Sequence, residues 1–205
     1  MSDKEKKTMR KAINFEKITS KYKKDVLEKL AEFVLINSVY DEKSVSKADP
    51  FGAGVSEALN YIATLAYYDG FDVKNYDNKV VEIIAGKGVK NITIMAHADV
   101  VPTGDGWKQN PFVVRETKTH LYGRGVADDK GPCLAAYYAL KALKDNKLLG
   151  RYQVRLLVGG NEERGSLCME HYFHTLNKPQ PTYGFSPDSN FPLIFAEKGI
   201  INFKV

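Results

Sequence analysis

The segment "ITIMAHADVVPTGDGW", residues 92–107, starts as an apolar strand and ends in glycine, proline and aspartate. His97 and Asp99 sit at the changeover. Three further acidic groups follow strand-like runs: Asp128 and Asp129 in "GRGVADDKG", Glu162 and Glu163 after "RLLVGGN", and Asp188 in "GFSPDSN". Taken singly, each has an ordinary explanation. Paired acids are usually surface charge, a histidine at a strand end is usually a satisfied structural residue, and Ser-Pro-Asp reads as a turn. Together they say more. If these strand ends lie at one sheet edge, one cleft collects six carboxylates and an imidazole. Like charges crowded out of water are costly unless a cation neutralises them. Imidazole with carboxylate suits zinc, with cobalt or manganese as alternatives. Two such ions sharing a carboxylate sit roughly 3.5–4 Å apart and lower the pKa of bound water from 15.7 to about 7. A neighbouring carboxylate not spent on metal can then move the proton. In a Glu-Glu pair, one side chain can bind metal while the other stays free.

The elements that must position these residues are legible in the pattern. Helical periodicity runs from about Phe15 to Ile36, and a second helix covers Val55 to Tyr68 and stops at Gly70. "FDVKNY", "VVEIIAG" and "NITIMAH" read as successive strands, the last fully buried. "FVVRET" and "HLYGRG" suggest a short hairpin. "KGPCLAAYYALKALKDNK" is an amphipathic helix with Pro132 in its first turn. The strand "YQVRLLVGG", a helix from about Ser166 to Leu176, and short strands at "TYGFSP" and "LIFAEKG" follow. Strands alternating with helices predict an α/β fold with a mixed, largely buried sheet flanked by helices. Such sheets bind ligands beyond the carboxyl ends of their strands. Gly123, Gly125 and Gly131 allow the chain to turn tightly around Asp128.

Composition excludes other classes. The 205 residues carry a formal charge of +5, much of it between Lys4 and Lys29. There, Val26, Leu27, Leu30, Phe33 and Val34 mark an apolar helix face and the lysines its solvated side. Nucleic-acid binding is therefore not expected. No apolar run is long enough to span a membrane, and the start lacks a secretory core. Cys133 and Cys168 match no metal or disulfide spacing, which predicts a reducing cytoplasm.

The runs "HADVVPTGDGW", "GRGVADDKGP", "NEERGS" and "SPDSNFPLIFAEKG", in that order, resemble the PepV-type dipeptidases. These belong to the dizinc aminopeptidase and carboxypeptidase superfamily that includes carnosinases, aminoacylases and succinyl-diaminopimelate desuccinylase. The resemblance covers the chain from about Phe15. It implies that His97 and Asp188 bind one metal, and that Asp128 bridges two metals through a cis peptide to Asp129. It further implies that Glu163 binds the second metal and Glu162 is the general base and acid. Asp99 would orient the His97 ring and help place a dipeptide or small peptide substrate. Asn161 stands where the family often has aspartate, which alters hydrogen bonding behind the ligands but leaves them intact.

Members of this type are longer, with a lid domain after "EKG" and a later segment carrying another histidine ligand. Residues 1–197 then correspond to the N-terminal part of the catalytic domain and 198–205 to the start of the lid, with Val205 a truncation. The implied reaction is hydrolysis of dipeptides with a free N-terminal amine, the isolated chain being inactive. The alternatives are an N-acyl amino acid deacylase or desuccinylase of the same superfamily, and a non-catalytic metal-binding fragment.

The remaining candidates have quieter roles. His120 is expected to be exposed in the hairpin, and His171 and His174 to share a surface helix face that no acidic strand end meets. Trp107 is expected at the cleft rim, Tyr137 in the core, Tyr138 on a helix surface, and Lys130 capping or pairing with nearby carboxylates. Lys198 would approach the cleft.

Overall fold

The computed structural model describes residues 13–190, 193–196 and 199. Its centre is a five-stranded sheet in the order β1-β2-β6-β3-β7. The strands are β1 (Asp72–Tyr76), β2 (Val80–Ala85), β3 (Lys90–His97), β6 (Tyr152–Gly159) and β7 (Tyr183–Phe185). β1, β2 and β6 pair antiparallel, whereas β3 runs parallel to both β6 and β7, so the sheet is mixed as predicted. A two-stranded ladder, β4 (Arg115–Glu116) with β5 (Leu121–Tyr122), is all that remains of the longer predicted hairpin.

Alternation along the central strands divides the side chains between two faces. Val81 and Ile83, Val154, Leu156 and Val158, and Ile94 and Ala96 enter the main core. Opposite them stand Val80, Glu82, Arg155, Leu157, Thr93, Met95 and His97. The main core is covered by α2 (Lys23–Leu35), α3 (Ala53–Tyr68) and α4 (Lys130–Asp145). The other face receives a short helix, α5 (Leu167–Glu170), continued by a π-helical turn at His171–Thr175. Its Tyr172 packs with Val80 and Leu157 in a smaller cluster.

Several boundaries differ from the periodicity. The first helix is divided: α1 (Phe15–Thr19) leads through a 3-10 turn at Ser20–Tyr22 into α2. Tyr22 turns inward there, 5.7 Å from the Tyr138 ring. Tyr138 is consequently buried, not on the helix surface as expected, because α1 and α2 cover that flank of α4. Tyr137 is in the core as expected. Residues 193–196 form no strand, and the rest of the predicted "LIFAEKG" strand, with Lys198, lies outside the described residues except Gly199. Among the described residues, no helix is long and apolar enough to cross a membrane.

The second face holds a buried polar network. Arg155 donates to Tyr172 Oη at 3.0 Å, to Thr93 Oγ1 at 3.0 and 3.2 Å, and to the Pro179 carbonyl at 2.8 Å. Glu82 lies 3.8 Å from the guanidinium and accepts from Tyr76 and Tyr172. Replacing one member strands the other charge in an apolar layer. Arg155→Met is expected to cost about 3–5 kcal/mol, the typical penalty for breaking a buried pair. Urea denaturation of the variant beside the wild type measures it.

Candidate metal centre

Register brings the acidic strand ends together. His97, last residue of β3, pairs with Gly159, last residue of parallel β6. Both strands point their carboxyl ends the same way, so the loops carrying Asp99 and Glu162 leave side by side. A side chain at Gly159 would strike Cys168: an added Cβ would lie 2.6 Å from its Sγ. β7 runs parallel to β3 on the other side and delivers Asp188 three residues after its end.

The imidazole of His97 is buried, with its two nitrogens in different surroundings. Nδ1 lies 3.0 Å from the Asp99 backbone carbonyl, which can only accept, so this nitrogen carries the hydrogen. Nε2 then presents a lone pair. It lies 3.1 Å from Asp128 Oδ1, 3.4 Å from Asp188 Oδ2 and 4.0 Å from Glu162 Oε2, and makes no hydrogen bond. One ligand atom each from His97, Asp128 and Asp188 fall within 4.8 Å of one another.

Asp99 works behind the ring. Its backbone carbonyl fixes the imidazole, while its carboxylate, 3.4 Å from Nδ1, accepts from the Glu162 and Glu163 backbone N–H groups at 3.1 and 3.2 Å. One buried residue therefore holds both the histidine and the glutamate turn. Asn161, also buried, closes that turn by accepting from the Leu167 N–H through its side chain and from the Ser166 N–H through its backbone. Asp128 and Asp129 are joined by a cis peptide. Asp129 is buried and accepts from the His97 N–H at 2.9 Å, and Asp128 opens into the cleft. Glu163 stands outside the three-residue cluster, but its Oε1 is buried without a hydrogen-bond partner.

The electrostatics follow from this crowding. Burial opposes an imidazolium at His97, yet the hydrogen bond and charge of Asp99, with the charges of Asp129 and Asp188, outweigh it and raise the pKa to about 10. Burial raises Asp129 to about 7 despite its hydrogen bond from the His97 N–H. Glu162 and Glu163 are also pushed up, first by burial and then by neighbouring carboxylates, against the opposing pull of His97. The pocket demands positive charge. An unpartnered buried nitrogen, two carboxylates within 3.4 Å of it and an unpartnered carboxylate oxygen on Glu163 together fit a divalent cation.

Other residues fall elsewhere. Lys130 is fully buried, its pKa lowered to about 7 by that burial, and it contacts backbone carbonyls, not the carboxylates considered in the sequence. His171 does meet an acid: Nε2 is 2.9 Å from Asp77 Oδ2, in the β1–β2 turn. Nothing local announces a partner 94 positions away. His120 is exposed as expected. Trp107 donates to the Thr103 carbonyl at 2.8 Å and borders a hollow of about 530 Å3 with Arg115 and Tyr122. None of the clustered metal-site acids line that hollow. A smaller one of about 180 Å3, bordered by His97, Glu162 and Asp188, has the donor chemistry.

Residues 93–202, just over half of the chain, match the model of Peptidase family M20/M25/M40. The chain belongs to this family. YtjP of Bacillus subtilis, whose name carries a provisional dipeptidase assignment, is 43% identical over 190 residues, covering 93% of this chain and 41% of that protein. A Staphylococcus aureus protein with the same provisional naming is 40% identical over 182 residues, covering 89% and 38%. The chain thus spans about two fifths of the length of the curated relatives it matches. Among solved structures, the M20 family metallo-carboxypeptidase Sso-CP2 of Sulfolobus solfataricus superposes with a TM-score of 0.66 at 27% identity, covering 80% of this chain and 37% of that one. Human carnosine dipeptidase 1 shares the fold, with a TM-score of 0.66 at 24% identity over 80% of this chain and 38% of that one.

A divalent cation that binds only the folded chain must stabilise it. At a concentration 100 times its dissociation constant, the gain is about 2.7 kcal/mol. Thermal unfolding with and without Zn2+, Co2+ or Mn2+ is expected to show a rise in midpoint that His97→Ala abolishes.

Proposed function

We propose that this chain carries the N-terminal metal-binding part of a metal-dependent dipeptidase acting on dipeptides with a free N-terminal amine. The observation that supports it most is the His97 Nε2, buried, without a hydrogen-bond partner and faced by Asp128 and Asp188. The dipeptidase naming of the B. subtilis and S. aureus relatives supports the substrate class. His97, Asp128 and Asp188 would hold one zinc ion, and Glu163, with Asp128, would hold a second. Cobalt or manganese would accept the same donors. Bound there, zinc supplies a Lewis acid for the scissile carbonyl and lowers the pKa of water toward neutrality.

The chain's own residues do the rest. Glu162 lies beside the cluster without being one of its three members, and its raised pKa suits a group that both takes and returns a proton. Its carboxylate would accept the proton of the attacking water and pass it to the leaving amine nitrogen. Asp99 would keep the His97 ring and the glutamate turn in fixed relation, so that proton transfer and metal binding occur at one spacing. The portions of the relatives that this chain does not span would supply the lid and the remaining ligand, and the isolated chain would bind metal without turnover.

In a longer protein carrying this chain, Glu162→Ala is expected to lower dipeptide hydrolysis about 10²–10⁴-fold, the usual contribution of a positioned acid-base group. Metal content should be unchanged. Retained hydrolysis at normal metal content would overturn the assignment. Running the wild type on a dipeptide and on its N-acetylated analogue separates dipeptidase from deacylase, since a deacylase prefers the acetylated form.

A further inference from the structure

Three consecutive residues in one turn go to three different places. Asp128 opens into the cleft, with its Oδ1 3.1 Å from His97 Nε2. Asp129 is buried and accepts from the His97 N–H, which ties the turn to the end of β3. Lys130 is also buried and runs the other way, donating to the carbonyls of Phe33 at 2.9 Å and Ile36 at 2.7 Å. These groups belong to the last turn of α2 and its cap: the Phe33 carbonyl also accepts from the Ile36 N–H at 3.3 Å, and the Ile36 carbonyl lies beyond the helix's own bonding. The Nζ also sits 5.0 Å from the centre of the Phe33 ring.

The surroundings leave little room for this link to shift. The Lys130 chain packs against Gly125, where an added Cβ would lie 3.1 Å from Lys130 Cδ. At Gly131 an added Cβ would fall 2.0 Å from the Val126 carbonyl oxygen, so the turn is closed on itself. The segment leaving α2 also touches the other arm of the site. Ser38 donates through its hydroxyl to the Ala98 carbonyl at 2.6 Å, and the Val100 N–H donates to the Ser38 carbonyl at 3.2 Å. The exit of α2 is thus bonded to the stretch that follows His97 and, through Lys130, to the turn that carries Asp128.

We propose that Lys130 is a positioning residue for metal binding: its buried ε-amino group pins the Asp128–Asp129 turn to the C-terminal carbonyls of α2, holding the Asp128 carboxylate over His97 Nε2. The inference rests on the metal reading above. Without the pin, the turn keeps its internal bonds and the Asp129 bond to the end of β3 but loses its tie to α2, and with it one restraint on the distance from Asp128 to the ring.

The test is Co2+ titration of this chain, followed by the visible absorption of the bound ion, in the wild type, Lys130→Met, Lys130→Arg and Ile62→Ala. Ile62 is a core residue of α3 that serves as a control for general destabilisation. At a temperature where all are folded by circular dichroism, Lys130→Met is expected to bind Co2+ at least tenfold more weakly, with altered absorption. Ile62→Ala should stay within twofold of the wild type, and Lys130→Arg, which keeps the donors, should recover part of the loss. Equal affinity in Lys130→Met and wild type overturns the inference and leaves the metal reading standing. No binding by the wild type overturns the metal reading, and the inference with it. Should Lys130→Met fail to fold, hydrogen exchange on the wild type decides. Co2+ is expected to slow the amides of residues 34–36 at the end of α2, and unchanged exchange there refutes the pin.

Discussion

A buried nitrogen lone pair facing carboxylates is the constraint around which the molecule is arranged. Nε2 of His97 is sealed from water, has no hydrogen-bond partner, and looks onto Asp128 and Asp188. Left as it is, that arrangement combines two costs: a buried polar atom without a partner and like charges held close together. A proton on the ring offsets both, and against the opposing effect of burial the hydrogen bond and charge of Asp99, with the charges of Asp129 and Asp188, favour it by raising the ring's pKa. A divalent cation offsets them more fully, because it satisfies the lone pair and all the facing oxygens at once. The direction of the other shifts agrees. The carboxyls of Asp129, Glu162 and Glu163 are displaced upward, first by burial and then by neighbouring carboxylates, against the opposing pull of His97.

The sheet turns that local constraint into a single place. Parallel pairing of β6, β3 and β7 sends three strand ends the same way, and the register puts His97 level with Gly159. Had β3 run antiparallel to β6, Asp99 and Glu162 would leave from opposite ends. The direct bonds from the Asp99 carboxylate to two successive backbone N–H groups of the glutamate turn are available only because the two loops leave together. Alternation does the rest. His97 shares a face with Thr93 and Met95, opposite the face that builds the main core, so the site costs the core no side chain.

Much of this was legible in the residues. The four acidic or imidazole-bearing groups could be picked out by their turn chemistry, and the mixed sheet by its runs of apolar residues; Asp128 and Asp129, however, enter the site from the start of α4 and not from a strand of the sheet. What could not be read was anything that depends on packing between distant elements. Tyr138 looked like a surface residue because the pattern of α4 gives no sign that α1 and α2 lie over it. His171 looked unpartnered because Asp77 reaches it only once the β1–β2 turn folds under the π-helical turn. Asp99 is expected from the sequence to orient His97. Its carbonyl lies 3.0 Å from the ring's Nδ1 while its carboxylate accepts from the Glu162 and Glu163 N–H groups, a division that residue identity alone cannot reveal. Lys130 is expected from the sequence to cap or to pair with its acidic neighbours. A lysine's reach lets it pass those acids and bond the carbonyls at the end of α2, an element far away in sequence.

Burial divides the residues of the site into two sets. His97, Asp99, Asp129 and Lys130 are out of water and bonded to backbone groups of other elements. Asp128, Glu162 and Asp188 keep partial contact with solvent. A group that must exchange protons or ligands needs that contact, since a fully desolvated carboxylate would hold its proton too firmly. A group that must hold a distance needs the reverse: low exposure, fixed rotamers and bonds to rigid elements. Buried charges are a poor way to gain stability, and hydrophobic residues of similar volume often serve as well or better. Their concentration behind this one pocket is better explained by what they fix. Each polar bond sets a direction, and an apolar contact would leave the facing carboxylates free to drift apart under their own repulsion.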